Sequence, residues 1–141
     1  MQPVLLDSSV IAALFDRRER YHRQCAELVA GLHRPLTTCE AVISESCYLL
    51  AAIPGAPEYV LRNVVEGVFS IPFQFSDSAS EVLAIFEKYR DLPASLADAC
   101  LIQMADEFDT GDILTLDSDF KHYRWRRNRS FRLLIPLEQV R

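Results

Sequence analysis

Glycine is scarce in this chain and never clustered. Gly31, Gly55, Gly67 and Gly111 stand alone along 141 positions. A phosphate-cradling loop of the Walker or dinucleotide type needs several glycines in one turn, so both types are excluded. The cysteines Cys25, Cys39, Cys47 and Cys100 form no Cys-x-x-Cys pair, and no closely spaced histidine follows any of them. That spacing offers no zinc cluster, and reduced, mostly buried thiols are the expectation. His22, His33 and His122 are too few and too scattered for a histidine-based metal centre. No apolar run approaches the ~18 residues of a membrane span. The N-terminus also lacks the basic, then apolar, then small-residue order of an export leader. The expectation is a cytoplasmic protein with no membrane role.

Half of the residues are hydrophobic, enough for a core, and the length suits one domain over residues 1–141. Net charge is −5. Residues 121–132 hold Lys121, Arg124, Arg126, Arg127, Arg129 and Arg132 without an acid; +6 there leaves −11 for the rest. An acidic body with one basic strip calls for an explanation.

Strand and helix patterns alternate. Strands are expected at 4–6, 35–37, 71–75, 113–116 and 131–135. Helices are expected at 8–15, capped by Ser8 or Ser9, and at 21–32. Others follow at 38–53 with Thr38 as cap, 57–69 opened by Pro57, from 76 or 77 up to the break at Pro93, and 95–107 capped by Ser95. Val82, Ile85, Phe86 and Tyr89 make one apolar stripe. Such alternation implies a parallel sheet with helices on both faces.

Four acids lack local partners. Asp7 directly follows Val4-Leu5-Leu6, and Asp117 directly follows Ile113-Leu114-Thr115-Leu116. Both should emerge at the carboxyl rim of the sheet, where open α/β sheets keep their sites. Glu45 sits in a helix apolar almost all round, and no Lys or Arg occurs between Arg34 and Arg62. Asp98 has Leu101, Ile102 and Ala105 on its side, and no Lys or Arg occurs between Arg90 and Lys121. Unpaired carboxylates in apolar surroundings are costly. One divalent cation would relieve all four, and hard oxygen ligands select Mg²⁺ or Mn²⁺. Spacing alone does not bring the four together.

The motifs that carry these acids resemble the PIN-domain family. Leu6-Asp7-Ser8-Ser9-Val10 resembles its strand-Asp-(Thr/Ser)-Ser opening. Thr37-Thr38, then Ala41-Val42-Ile43-Ser44-Glu45 and Leu49-Leu50, is similar to its second motif, and Ser95-Leu96-Ala97-Asp98-Ala99 to its third. Leu114-Thr115-Leu116-Asp117-Ser118-Asp119-Phe120 is similar to its Thr-x-Asp-x-Asp-Phe signature. The order fits across nearly the whole chain, and the subgroup most resembled is the VapC-like toxin ribonucleases.

The resemblance implies a three-layer α/β/α sandwich on a mainly parallel sheet and a metal-dependent endoribonuclease. It makes Asp7, Glu45, Asp98 and Asp117 the acidic quartet that holds Mg²⁺ or Mn²⁺, with Asp119 accessory. It further implies an antitoxin partner that places a basic side chain among the acids, and a homodimer. Val60, Leu61 and Val64 are candidates for the antitoxin surface. Ser9, near a helix N-terminus, could hold a carboxylate or a phosphate oxygen, or be an ordinary cap. Glu40, five residues before Glu45, reads as structural or peripheral.

Residues 121–132 are the candidate RNA surface. Arg124, Arg126, Arg127 and Arg129 would take phosphates, and Tyr123 and Trp125 would stack bases, starting from the active-site rim. A solvated loop balancing the acidic surface, or a partner contact, would place the same residues there. A haloacid-dehalogenase phosphatase would need an Asp at position 9, which is Ser; a receiver domain would need paired N-terminal acids and a partner lysine, and Lys88 and Lys121 are the only lysines. The remaining alternative is a catalytically weak module of the same fold that binds RNA or a partner protein.

Overall fold

The computed structural model describes residues 2–137. The first strand, β1 (Val4–Leu6), is three fully buried aliphatic residues at the middle of a five-stranded sheet. It pairs in parallel with β2 (Leu36–Thr37) on one side and with β4 (Asp112–Leu114) on the other. The edges are β3 (Phe69–Ser70), parallel to β2, and β7 (Arg132–Leu133), parallel to β4. In the order β3-β2-β1-β4-β7 the chain steps from β1 through β2 to β3 in one direction and then returns to β4. Right-handed crossovers therefore put the helices of the two legs on opposite faces. Helices α1 (Ser8–Phe15), α2 (His22–Gly31), α3 (Glu40–Leu49) and α4 (Ala56–Val65) belong to the first leg. Helices α5 (Ala79–Lys88) and α6 (Leu96–Phe108) belong to the second and pack on each other. The gap between β1 and β4 is the point where the order reverses, the usual place for a site.

Several local expectations shift. Asp7, not Ser8 or Ser9, caps α1, its carboxylate accepting from the Ser8 N–H. Cys39, not Thr38, precedes α3; the Thr38 hydroxyl instead donates to the Leu6 carbonyl at 2.8 Å and ties β1 to the α3 entrance. Helix α3 ends at Leu49 rather than near residue 53, because Pro54 biases Ile53 away from helical geometry and the chain closes in tight turns. Helix α4 ends at Val65 rather than near residue 69. Gly67, at φ 78, bonds back to Val64, and Val68 bonds to Asn63, the paired closure that left-handed glycine permits. The strand expected at 71–75 lies at Phe69–Ser70, since Pro72 has no N–H to give a ladder, and Phe75–Asp77 is a 3₁₀ turn. Ser95 does cap α6, in a reciprocal box with Asp98.

One element has no counterpart among the expectations. Residues between β4 and β7 fold into an antiparallel hairpin, β5 (Arg124–Trp125) with β6 (Arg129–Ser130), outside the main sheet.

Candidate active site

Asp7 leaves β1 and Asp117 follows β4, so the two flank the reversal point at the carboxyl rim. Helices α3 and α6 bring Glu45 and Asp98 to the same rim. The four acids act on one another. Asp7 is 3% exposed, and its pKa is pushed up to about 6. Burial is the main cause, with the charges of Asp98 and Asp117 adding to it and hydrogen bonds from Thr115 and Ser8 opposing it. Asp98 is also held above the usual carboxylate range, by burial first and then by Asp117 and Glu45. Asp117 is raised by burial, then by Asp119 and Glu45. No Lys, Arg or His side chain pairs with any of these acids among the described residues.

Each carboxylate is instead held by neutral donors. Thr115 Oγ1 donates to Asp7 Oδ2 at 2.6 Å, and the Asp117 N–H donates to Thr115 Oγ1 at 3.0 Å. Ser9 Oγ donates to Asp7 Oδ2 at 3.3 Å and accepts from the Leu116 N–H at 2.9 Å, so it binds α1 to the segment after β4. Ser8 Oγ donates to Glu45 Oε1. The Ser95 N–H and the Tyr123 hydroxyl donate to Asp98 Oδ2, at 3.2 and 3.5 Å. The Asp119 N–H donates to Asp117 Oδ1 at 2.9 Å. Sequence reasoning misses these roles of Thr115, Ser8 and Tyr123; the Thr-x-Asp spacing is the available signal for Thr115.

The donor set fits Mg²⁺ or Mn²⁺ by chemistry: oxygen only, acidic, and partly desolvated. Among the described residues no three such side chains already stand in coordinating geometry, because each is turned onto its local donor.

The basic strip departs most from expectation. Tyr123 is fully buried and Trp125 is 7% exposed, so neither offers a face to a base. The indole lies against Gly111, where an added Cβ would come within 2.2 Å of Nε1, and Nε1 donates to the Ser130 carbonyl. Arg126 pairs with Asp109 at 2.8 Å, and its N–H donates to Asp106. Arg132 and Arg34 both pair with Asp112. The Arg124 guanidinium donates to the Lys121 and Tyr123 carbonyls. Arg129 lies over the Trp125 ring at 5.3 Å, and Arg127 is exposed at the hairpin tip. The strip starts near the acidic rim, but Arg126 at its middle lies beside Asp109, the C-cap of α6, whereas Asp98 sits in that helix's first turn. Along α6, Asp106 and Asp109 lie about 12 to 16 Å from Asp98, so Arg126 is held toward the far half of the helix from that acid.

Among the antitoxin candidates, Val60 is fully buried and packs in the core; Leu61, at 50% exposed, stays at the surface of α4. A cavity of about 670 Å³ opens between the start of α3 and the start of α6, with Glu45 in its wall.

A model of the PIN domain matches residues 4–126. The chain is 30% identical over 116 residues to ribonuclease VapC26 of Mycobacterium tuberculosis (strain ATCC 25618 / H37Rv), covering 81% of this chain and 86% of that protein. It is also similar to the crystal structure of M. tuberculosis VapC20, a sarcin-ricin loop cleaving toxin, with a TM-score of 0.77. Identity there is 18%, over 84% of this chain and 93% of the other. At that identity the second likeness speaks to the fold alone.

Proposed function

Because the chain belongs to the PIN domain family, we propose that it is a toxin-type endoribonuclease, hydrolysing RNA phosphodiester bonds with Mg²⁺ or Mn²⁺ held by Asp7, Glu45, Asp98 and Asp117. The observation that carries this reading is the gathering of these acids, half-buried or more, at the reversal point of the sheet. Asp7, Asp98 and Asp117 are each raised by burial first and then by neighbouring acids, and among the described residues no basic side chain pairs with them. A divalent ion there supplies positive charge to the scissile phosphate and lowers the pKa of an attacking water.

The chain's own residues do the rest. Thr115 and Ser9 fix the Asp7 carboxylate, and Ser8 holds Glu45 in reach. Asp119 orients Asp117 through its N–H and adds negative charge beside it. At neutral pH Asp7 is ionised but not far above its pKa of about 6, so acidification removes its charge early.

An antitoxin fits the same chemistry, since a partner's basic side chain would relieve the acids as an ion does, with exposed Leu61 and Val65 on α4 as apolar footing. Arg127 and Arg129 are the arginines of the strip placed to reach RNA phosphates, with Arg124 and Arg126 engaged in the fold. A homodimer in the cytoplasm completes the reading; no helix among the described residues is long and apolar enough to cross a membrane.

The test is incubation with total RNA, tRNA and rRNA in Mg²⁺, Mn²⁺ or EDTA, followed by end mapping. Discrete cuts that need metal and vanish in Asp98→Asn and Asp117→Asn are expected. Wild-type cutting by both variants at saturating metal would overturn the assignment.

A further inference from the structure

We infer that the cavity beside Glu45 is a base pocket, taking an unpaired RNA base that carries an amino group next to the scissile phosphate. The proposal deepens the nuclease reading above and rests on it for the identity of the ligand.

The cavity adjoins the acids. Glu45 stands in one wall, and Ser95, Leu96 and Ala97, which immediately precede Asp98, line another. A nucleotide whose phosphate lies at the acids has its own or its neighbour's base within reach of this opening. The volume, about 670 Å³, is of the size that holds small organic ligands.

Its lining suits a planar ring. Tyr48 is 81% exposed, Phe75 44% and Leu96 45%, three large apolar side chains left uncovered around one opening, with Phe73 buried behind them. Aromatic faces at the surface beside an RNA site are stacking platforms. They take the stacking role that Tyr123 and Trp125, both buried, are in no position to play.

Charge selects the base. The polar lining is Glu40, Ser44, Glu45 and Ser95, and among the described residues no Lys or Arg contributes. An ionised carboxylate only accepts hydrogen bonds. Adenine, cytosine and guanine each present an exocyclic amino group to it; uracil presents two carbonyl oxygens around a single N–H and is disfavoured. Glu40, exposed at the first position of α3 and remote from the quartet's hydrogen bonds, is the residue assigned to that contact.

The experiment uses neutral nucleosides as probes, so that phosphate repulsion from the acids plays no part. Adenosine, cytidine, guanosine and uridine are titrated into the full Asp7→Asn chain in EDTA, followed by NMR shifts of aromatic side chains. The amino-bearing nucleosides are expected to bind about tenfold more tightly than uridine. Glu40→Gln should erase that preference, and Tyr48→Ala should weaken all four by about tenfold. Equal binding of all four nucleosides, or binding insensitive to both variants, would overturn the pocket. So would a Tyr48→Ala change in oligomeric state with nucleoside binding unaltered, which would make this face a protein interface. Nucleoside binding by a chain that cuts no RNA would instead sink the nuclease reading. Metal-dependent cutting with no base preference on either side of the cut would leave nuclease activity standing and remove the pocket.

Discussion

Asp7 is the residue on which most of the site's electrostatics converge, and its titration is measurable. Its folded pKa, about 6, lies above the ordinary carboxylate value of 3.8. A raised acid favours the folded state while protonated, so that stability is full below pH 4 and is lost as pH rises through 6. Two units correspond to about 3 kcal/mol as an upper bound. In EDTA, Asp7→Asn should therefore be more stable than wild type at pH 7.5 and lose that advantage by pH 4. Urea denaturation at both pH values checks this, and a constant difference would show that Asp7 does not titrate as described. Tyr123 offers a second test. Its ring packs edge-on against Phe120 and Tyr89, and its hydroxyl donates to Asp98. Tyr123→Phe keeps the ring packing and removes that donor. Mn²⁺ affinity, read by calorimetry, should fall by about tenfold, in the range found for groups that orient metal ligands. An unchanged affinity would assign the hydroxyl to packing alone.

At the scale of elements, the hairpin β5–β6 depends on one close approach. Gly111 leaves room for the Trp125 indole, and a methyl there would sit 2.2 Å from Nε1. Gly111→Ala should cost about 1–3 kcal/mol, the usual penalty of overpacking, and red-shift the emission of the single tryptophan. Unshifted emission with wild-type stability would mean the indole moves aside freely. This hairpin is also the element least visible in the sequence. Its turn places Arg126 and Arg127 at φ 45 and φ 72, where glycine or Asn-Gly is the usual signal, so nothing marks a turn inside the arginine run. The alternation of arginine with aromatics then resembles a stacking surface. By contrast Glu45 and Asp98 are legible, because a carboxylate on a helix without any cation nearby has few structural explanations. The sheet core is legible too, in the Val4-Leu5-Leu6 and Ile113-Leu114 runs. The end of α4 and the place of β3 fall earlier than the apolar pattern suggests, because a lone glycine, Gly67, closes a helix as firmly as a proline does. Convergence of the four acids lies in strand order, which no local pattern encodes.

Over the whole molecule, Asp98 lies at the start of α6 and Arg126 is held near its end, so on the proposed reading RNA binding and metal binding can be perturbed separately. The Arg126 guanidinium is engaged by the Asp106 carbonyl and the Asp109 carboxylate, so a variant lacking it would also remove those contacts. Replacing only Arg127 and Arg129 by Ala should weaken RNA binding and reduce the slope against log salt by up to about one unit for each phosphate no longer neutralised. Mn²⁺ binding should be unchanged. The same slope in the double variant would leave those arginines to the surface charge balance.

The separation along α6 also gives the protein an electrical polarity. The positive end of the helix's own dipole lies under Asp98, and its negative end, the Asp106 carbonyl included, meets the Arg126 guanidinium. Helix and side chains thus oppose each other in sign at each end, which stabilises both. On the proposed reading, a polyanion approaching from solution is drawn to exposed Arg127 and Arg129 and repelled by the acids at the rim. First encounter should therefore occur at the wrong end, followed by a turn about the bound contact before the acids are reached. Such a two-stage landing makes association sensitive to ionic strength and reorientation much less so, and a long RNA, able to bridge both ends, is captured where a dinucleotide is not.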